Sequence, residues 1–222
     1  MYITILLLSA LIYFFCLYIF SKEDYLLIRK NISVEEMFNL SFLGLLVVIV
    51  VARLFFVIVH PSFRYLNPLV FFLFPYFPGL SLLGAIVGGS GFLFFITREG
   101  KKPTKRIFDI FSMSFLLSLS PAFFIQGIVN LLARKNILLV VDFSTCILYL
   151  VSCIFLVRWF VKNKYSDGVT SALVVMTIAT ISVVRYFLLL IPTHRFVFSL
   201  EPILWGIVMV SGIVYLIMHR KK

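Results

Sequence analysis

Arg53, Asp142 and Arg185 are ionisable side chains set inside long apolar runs, and Gln126 adds an amide of the same kind. A charge in hydrocarbon costs roughly 2.5–3.5 kcal/mol even on the lower of the competing scales, so such residues face a partner, water or a ligand. Guanidinium binds a carboxylate or a phosphate through parallel N–H···O bonds. Two chemistries follow from these residue types. Asp142 can pair with one arginine as a structural bridge, while the other arginine snorkels along its stem to the interface. Alternatively, the positive charge left over, with Gln126 as an extra donor, can hold an anionic head group such as a lipid phosphate. Composition does not separate the two.

The elements that must carry these residues are membrane helices. Of the 222 residues, 62% are apolar and 13% charged, and the apolar ones run in blocks too continuous for a soluble core. With about 20 residues needed to cross a ~30 Å hydrocarbon layer, seven spans are read: Tyr2–Phe20, Met37–Val59, Gly79–Thr97, Ile107–Leu132, Ile137–Val157, Gly168–Ile191 and Leu200–Met218. None shows the period-2 alternation of a barrel strand, so backbone groups must be satisfied within helices. The fold class expected is all-α, a polytopic membrane protein forming one transmembrane domain over residues 1–222. The first span lacks a basic start and a small-x-small cleavage site before Ser21 and is longer than a signal h-region, so it reads as a retained helix.

Lys and Arg set the orientation. With the N-terminus outside, the inner segments hold Lys22, Arg29 and Lys30, then Arg98, Lys101, Lys102, Lys105 and Arg106, then Arg158, Lys162 and Lys164, and finally Arg220, Lys221 and Lys222. The outer segments hold Arg64, Arg134, Lys135 and Arg195. This asymmetry favours N-out, C-in. In that orientation Arg53, Gln126 and Arg185 each lie six residues before the outer end of a span, and Asp142 lies five after an outer start. At 1.5 Å per residue, all four sit roughly 8–9 Å below the outer boundary.

Two outer features accompany this slab. Leu69 to Gly79 is too short and proline-broken to span, and reads as an interfacial or re-entrant arm with aromatics at head-group level. Gly84 and Gly88, four residues apart, bare one face of the third span for close helix packing or for approach of a lipid.

The formal net charge of +11 lies in short loops flanking helices, so an anionic membrane surface, not nucleic acid, is the expected partner. Cys16, Cys146 and Cys153 fall within spans and read as small apolar residues. No His or Cys spacing suits a metal, and no phosphate-binding loop or nucleophile elbow is present, so neither metal nor cofactor is expected.

The runs Leu43-Gly-Leu, Ala52-Arg53-Leu-Phe-Phe-Val-Ile-Val-His60-Pro, Asn67-Pro-Leu and Gly79-Leu-Ser-Leu-Leu-Gly-Ala-Ile-Val-Gly88, with the basic turn after it, are similar to those of prolipoprotein diacylglyceryl transferase. Asp109-Ile-Phe, Asp167-Gly-Val-Thr-Ser-Ala and Arg185-Tyr-Phe extend the resemblance over nearly the whole chain. It implies a seven-helix, N-out enzyme of the bacterial cytoplasmic membrane that moves diacylglycerol from phosphatidylglycerol to a lipoprotein cysteine, forming a thioether and releasing glycerol phosphate. The implied partners are that phospholipid and a lipoprotein precursor or another envelope protein.

The chain departs from the family pattern at chemically important places. The family's His-Gly-Gly aligns with Leu83-Gly84-Ala85, so its histidine is lost, and Gly-Arg-x-x-Asn-Phe aligns with Ala122-Phe123-Phe-Ile-Gln126-Gly127, so its arginine is lost. Leu189 and Leu150 stand where two family glutamates are expected, and the outer insertion between helices four and five shrinks to Ala133–Asn136. A thiol of pKa ~8.5 needs a base or a positive neighbour, and two arginines bind phosphate but are poor bases. Replacement catalytic groups on the outer face would be His60, His194 or Glu201. Three functions fit: a phospholipid-binding relative of the transferase with lost or altered catalysis, an active transferase with a rearranged site, or a small lipid transporter or flippase.

The orientation is directly testable. In a chain with its three cysteines replaced by serine, Asn136→Cys is expected to react with an impermeant maleimide added to intact cells and Lys102→Cys only after lysis. The reverse pattern refutes N-out.

Overall fold

The computed structural model describes residues 2–61, 79–162, 168–190 and 200–220. Their helices are α1 (Tyr2–Lys22), α2 (Tyr25–Arg29), α3 (Val34–Val59), α4 (Leu82–Glu99), α5 (Thr104–Leu132), α6 (Asn136–Lys162), α7 (Val169–Leu190) and α8 (Leu200–Arg220). Seven of them, all but α2, are long and apolar enough to cross a membrane, so the fold is all-α with seven candidate spans. The aromatic arm before Gly79, together with Arg64, His194 and Arg195, lies outside the described residues.

Helix ends differ from the apolar runs for local reasons. α3 begins at Val34, ahead of the apolar run from Met37, because Ser33 accepts a hydrogen bond from the Glu36 N–H at 3.2 Å and Glu35 and Glu36 suit a helix N-terminus. α4 begins at Leu82 and not Gly79, since the Ser81 hydroxyl caps it by accepting from Gly84 N–H at 3.3 Å. α2, unread in the apolar pattern, is nucleated by Asp24, whose carboxylate accepts from Leu26 N–H at 3.0 Å and Leu27 N–H at 3.2 Å. The basic residues that terminate the apolar runs, Lys22 and Arg98, sit in the last turns of α1 and α4, where they also complement the helix dipole.

The chain divides into two compact units. In the unit spanning Ser21–Thr104, α3 and α4 run antiparallel in close contact. Gly44 faces Phe92, Gly89 faces Val48, Gly88 faces Val51, and Gly84 lies against Ala52 and Phe55. A Cβ on Gly84 would come within 2.6 Å of the Phe55 Cβ and 2.8 Å of the Ala52 Cα, and one on Gly88 within 2.7 Å of the Val51 Cβ. The glycine face of α4 is thus filled by α3, and van der Waals contact between near-touching backbones replaces the hydrophobic drive that lipid surroundings withhold. Ser81 N–H donates to the Ala52 carbonyl at 3.1 Å, and Lys102 pairs with Glu36 at the opposite end.

The other unit contains Ile3–Phe20 of α1 and α5 to α8. Small polar residues bring α5 against α6: Ser120 bonds the Cys146 carbonyl at 3.4 Å, the Cys153 thiol lies 3.6 Å from the Leu116 carbonyl, and Gly127 admits the Phe143 ring. The α7–α8 pair closes where Gly212 meets Met176, and the aromatic pairs Tyr13–Phe111 and Phe20–Phe160 hold α1. Asp109 of α5, wholly buried, accepts from Gly168 N–H and Ser171 N–H at 2.7 Å each, so it caps the start of α7 from a separate helix.

Glycine packing predicts a sharp contrast within α4. Gly84→Val is expected to destabilise by about 1–3 kcal/mol or more, as overpacked sites do, whereas Gly91→Ala, which points into open space, leaves the unfolding temperature in detergent within error. Equal temperatures for the two variants would contradict the packing described.

Candidate functional site

Antiparallel neighbours bring specific helix ends together. Asn130 lies in the last turn of α5, Asp142 near the start of α6, and Arg185 just over one turn before the end of α7. Their side chains form a relay: Asn130 Nδ2 donates to Asp142 Oδ2 at 2.6 Å, and Arg185 Nη2 donates to Asp142 Oδ1 at 2.8 Å. Asp142 is 1% exposed with both oxygens engaged, while the Arg185 side chain is 33% exposed. The Arg185 guanidinium also lies over the Phe123 ring, 4.7 Å from its centre, and that ring stacks on Tyr149 at 5.4 Å with 12° between planes. Arg185 Nε is buried with no acceptor among the described residues.

This arrangement does two things chemically. The buried carboxylate is locked by two charge-assisted or amide hydrogen bonds and neutralises the cation beside it. The guanidinium is held on one face by an aromatic platform and on one nitrogen by Asp142, which leaves its remaining donor edge for an acceptor.

Arg53 belongs to the other unit and solves its burial differently. Only 1% exposed, it donates from Nη1 to the Gly79 carbonyl at 2.7 Å and lies over Phe56 at 5.6 Å. A Cβ at position 79 would strike the Phe56 ring at 2.3 Å, so glycine is needed for the carbonyl to reach the arginine.

The remaining sequence candidates scatter. Gln126 is half-buried one turn before Asn130 on α5, and neither Asp142 nor Arg185 bonds to it. His60 is exposed at the end of α3, its ring stacked on Phe56 at 4.8 Å. Glu201 is in the first turn of α8. His194 lies outside the described residues, and Gly84 and Gly88 face α3. Among the described residues no group of His, Cys, Asp or Glu is arranged to hold a metal.

Asn130 and Phe123 went unread as site residues. The rule that singled out Asp142, a polar side chain inside an apolar span, applies equally to Asn130, four residues after Gln126 on the same helix face. For Phe123 no sequence signal existed, because an aromatic residue in a membrane helix is unremarked until a cation is found over it.

Residues 1–123 match the family model described as prolipoprotein diacylglyceryl transferase. That covers more than half of the 222 residues. The chain belongs to the prolipoprotein diacylglyceryl transferase family. A comparison with curated proteins gives no match. In this family member, Arg53, Gly84 and Gly88 fall within the matched region and Phe123 ends it, whereas Gln126, Asp142, Arg185 and Glu201 lie beyond.

The relay carries a stability prediction. Asp142→Ala leaves the guanidinium without its counterion and is expected to destabilise by about 3 kcal/mol, near the lower end for broken buried pairs because Arg185 is partly open. Asn130→Ala should cost about 1 kcal/mol, the scale of a hydrogen bond between membrane helices. Adding Arg185→Leu to Asp142→Ala should recover part of the loss in a double-mutant cycle read by thermal unfolding. A coupling of zero contradicts the pairing.

Proposed function

We propose that this protein is a phospholipid-binding member of the transferase family in which the catalytic step is lost or altered. Arg185 is the phosphate ligand in this reading, with Gln126, from the same compact unit, as an accessory donor; Arg53 of the other unit is a separate candidate for a lipid phosphate. The observation that carries it is the asymmetry of the pair: the carboxylate is enclosed and hydrogen-bonded at both oxygens, while the guanidinium beside it stays one-third exposed with donors to spare. Phosphatidylglycerol is the lipid the family points to, in a multi-pass protein of a bacterial cytoplasmic membrane, N-out and C-in.

The case for altered catalysis rests on what surrounds the arginine. Transfer of diacylglycerol to a thiol needs a group that takes the thiol proton and a cation that stabilises the departing phosphate. Leu83, buried and apolar, stands where the family's histidine is expected, and Phe123 where its arginine is expected. Asp142, 1% exposed and tethered at both oxygens, is closed off from an incoming thiol. What survives is phosphate recognition, which suits a lipid-holding partner of a lipoprotein precursor or of another envelope protein.

Two measurements decide the matter. Arg185→Gln is expected to reduce phosphatidylglycerol retained by the purified protein in native mass spectrometry about tenfold, in keeping with loss of a charged hydrogen bond; unchanged retention removes the binding proposal. In a strain depleted of its transferase the protein should not restore growth. Rescue with thioether-modified lipoprotein would establish an active enzyme instead.

A further inference from the structure

We infer that Asp142 determines which phospholipid charge the site accepts, favouring lipid phosphodiesters, with one negative charge, over phosphomonoesters. This rests on Arg185 being the phosphate ligand and adds a role for its counterion.

The geometry fixes Asp142 as a permanent part of the site. It is 1% exposed, its Oδ2 accepts from Asn130 and its Oδ1 from Arg185, so it is tethered at both oxygens and enclosed by protein. Arg185 is equally constrained by the Phe123 ring beneath it, itself stacked on Tyr149. An incoming phosphate must therefore use the donors of Arg185 that Asp142 leaves, with a carboxylate on the far side of the same guanidinium.

Charge then discriminates. Attraction of a ligand to an arginine already neutralised grows only in proportion to the ligand's charge and is reduced by repulsion from Asp142. The penalty for desolvating the ligand grows with the square of its charge. A phosphomonoester, at about −1.5 to −2 near neutral pH, thus loses more on entry than it gains, while a phosphodiester at −1 does not. Without the Asp142 charge, Arg185 becomes an uncompensated cation and the balance moves toward the dianion. Asn130 has a positioning role, holding the carboxylate in place.

The test compares phosphatidylmethanol and phosphatidate, which share acyl chains and differ in head-group charge, beside phosphatidylglycerol, all equimolar in mixed micelles with the purified full chain. Native mass spectrometry should show the two diesters retained over phosphatidate by at least about fivefold. Asp142→Asn should shrink or invert that ratio, and Asp142→Glu should keep it. If Arg185→Gln leaves retention unchanged, both the binding reading and this inference fall. If retention depends on Arg185 but phosphatidylmethanol is held no better than phosphatidate, or the ratio survives Asp142→Asn, the inference alone falls. Should Asp142→Asn fail to fold, the wild-type ratio of phosphatidylmethanol to phosphatidate still decides.

Discussion

A guanidinium cannot be left bare inside a membrane helix, and the local architecture of this protein follows from that constraint. Arg185 is met by a carboxylate and a phenylalanine face and Arg53 by a backbone carbonyl and another phenylalanine face, and even Arg106, in the first turn of α5 at the edge of its span, lies over the Phe160 ring at 4.7 Å with Asp109 nearby. Each arginine thus rests on an aromatic ring, the one neighbour that offers a cation favourable electrostatics while remaining apolar on its other side. Phenylalanine is abundant in this chain, 26 of 222 residues, and some of that abundance has this use.

The helices themselves were readable from the run of apolar residues, since hydrocarbon tolerates no alternative backbone arrangement. Their ends were less so. Glu35 and Glu36 interrupt the apolar pattern, yet they lie inside α3 because Ser33 caps it ahead of them. The pairing of Asp142 with an arginine followed from charge alone, but which arginine did not, because spacing along a chain does not report which helices are neighbours. Asn130, a polar side chain inside an apolar span, is legible in the sequence by the same rule as Asp142. The Phe123 platform was not visible at all, since its meaning comes from a residue on another helix.

Phe123 is the last residue of the stretch that matches the family model. Its ring supports a cation from a later helix. The same ring fills the space beside Tyr149, on which it stacks, so one side chain serves both as a brace for the guanidinium and as helix packing.

Asp109 has a consequence for biogenesis. The first amides of α7 have no partners within their own helix, and the carboxylate that satisfies Gly168 and Ser171 arrives from α5. Until those two segments meet, these amides lack that acceptor. The start of α7 is thus moored by a side chain 59 residues earlier in the chain, which makes the closure of its first turn a tertiary event and not a local one.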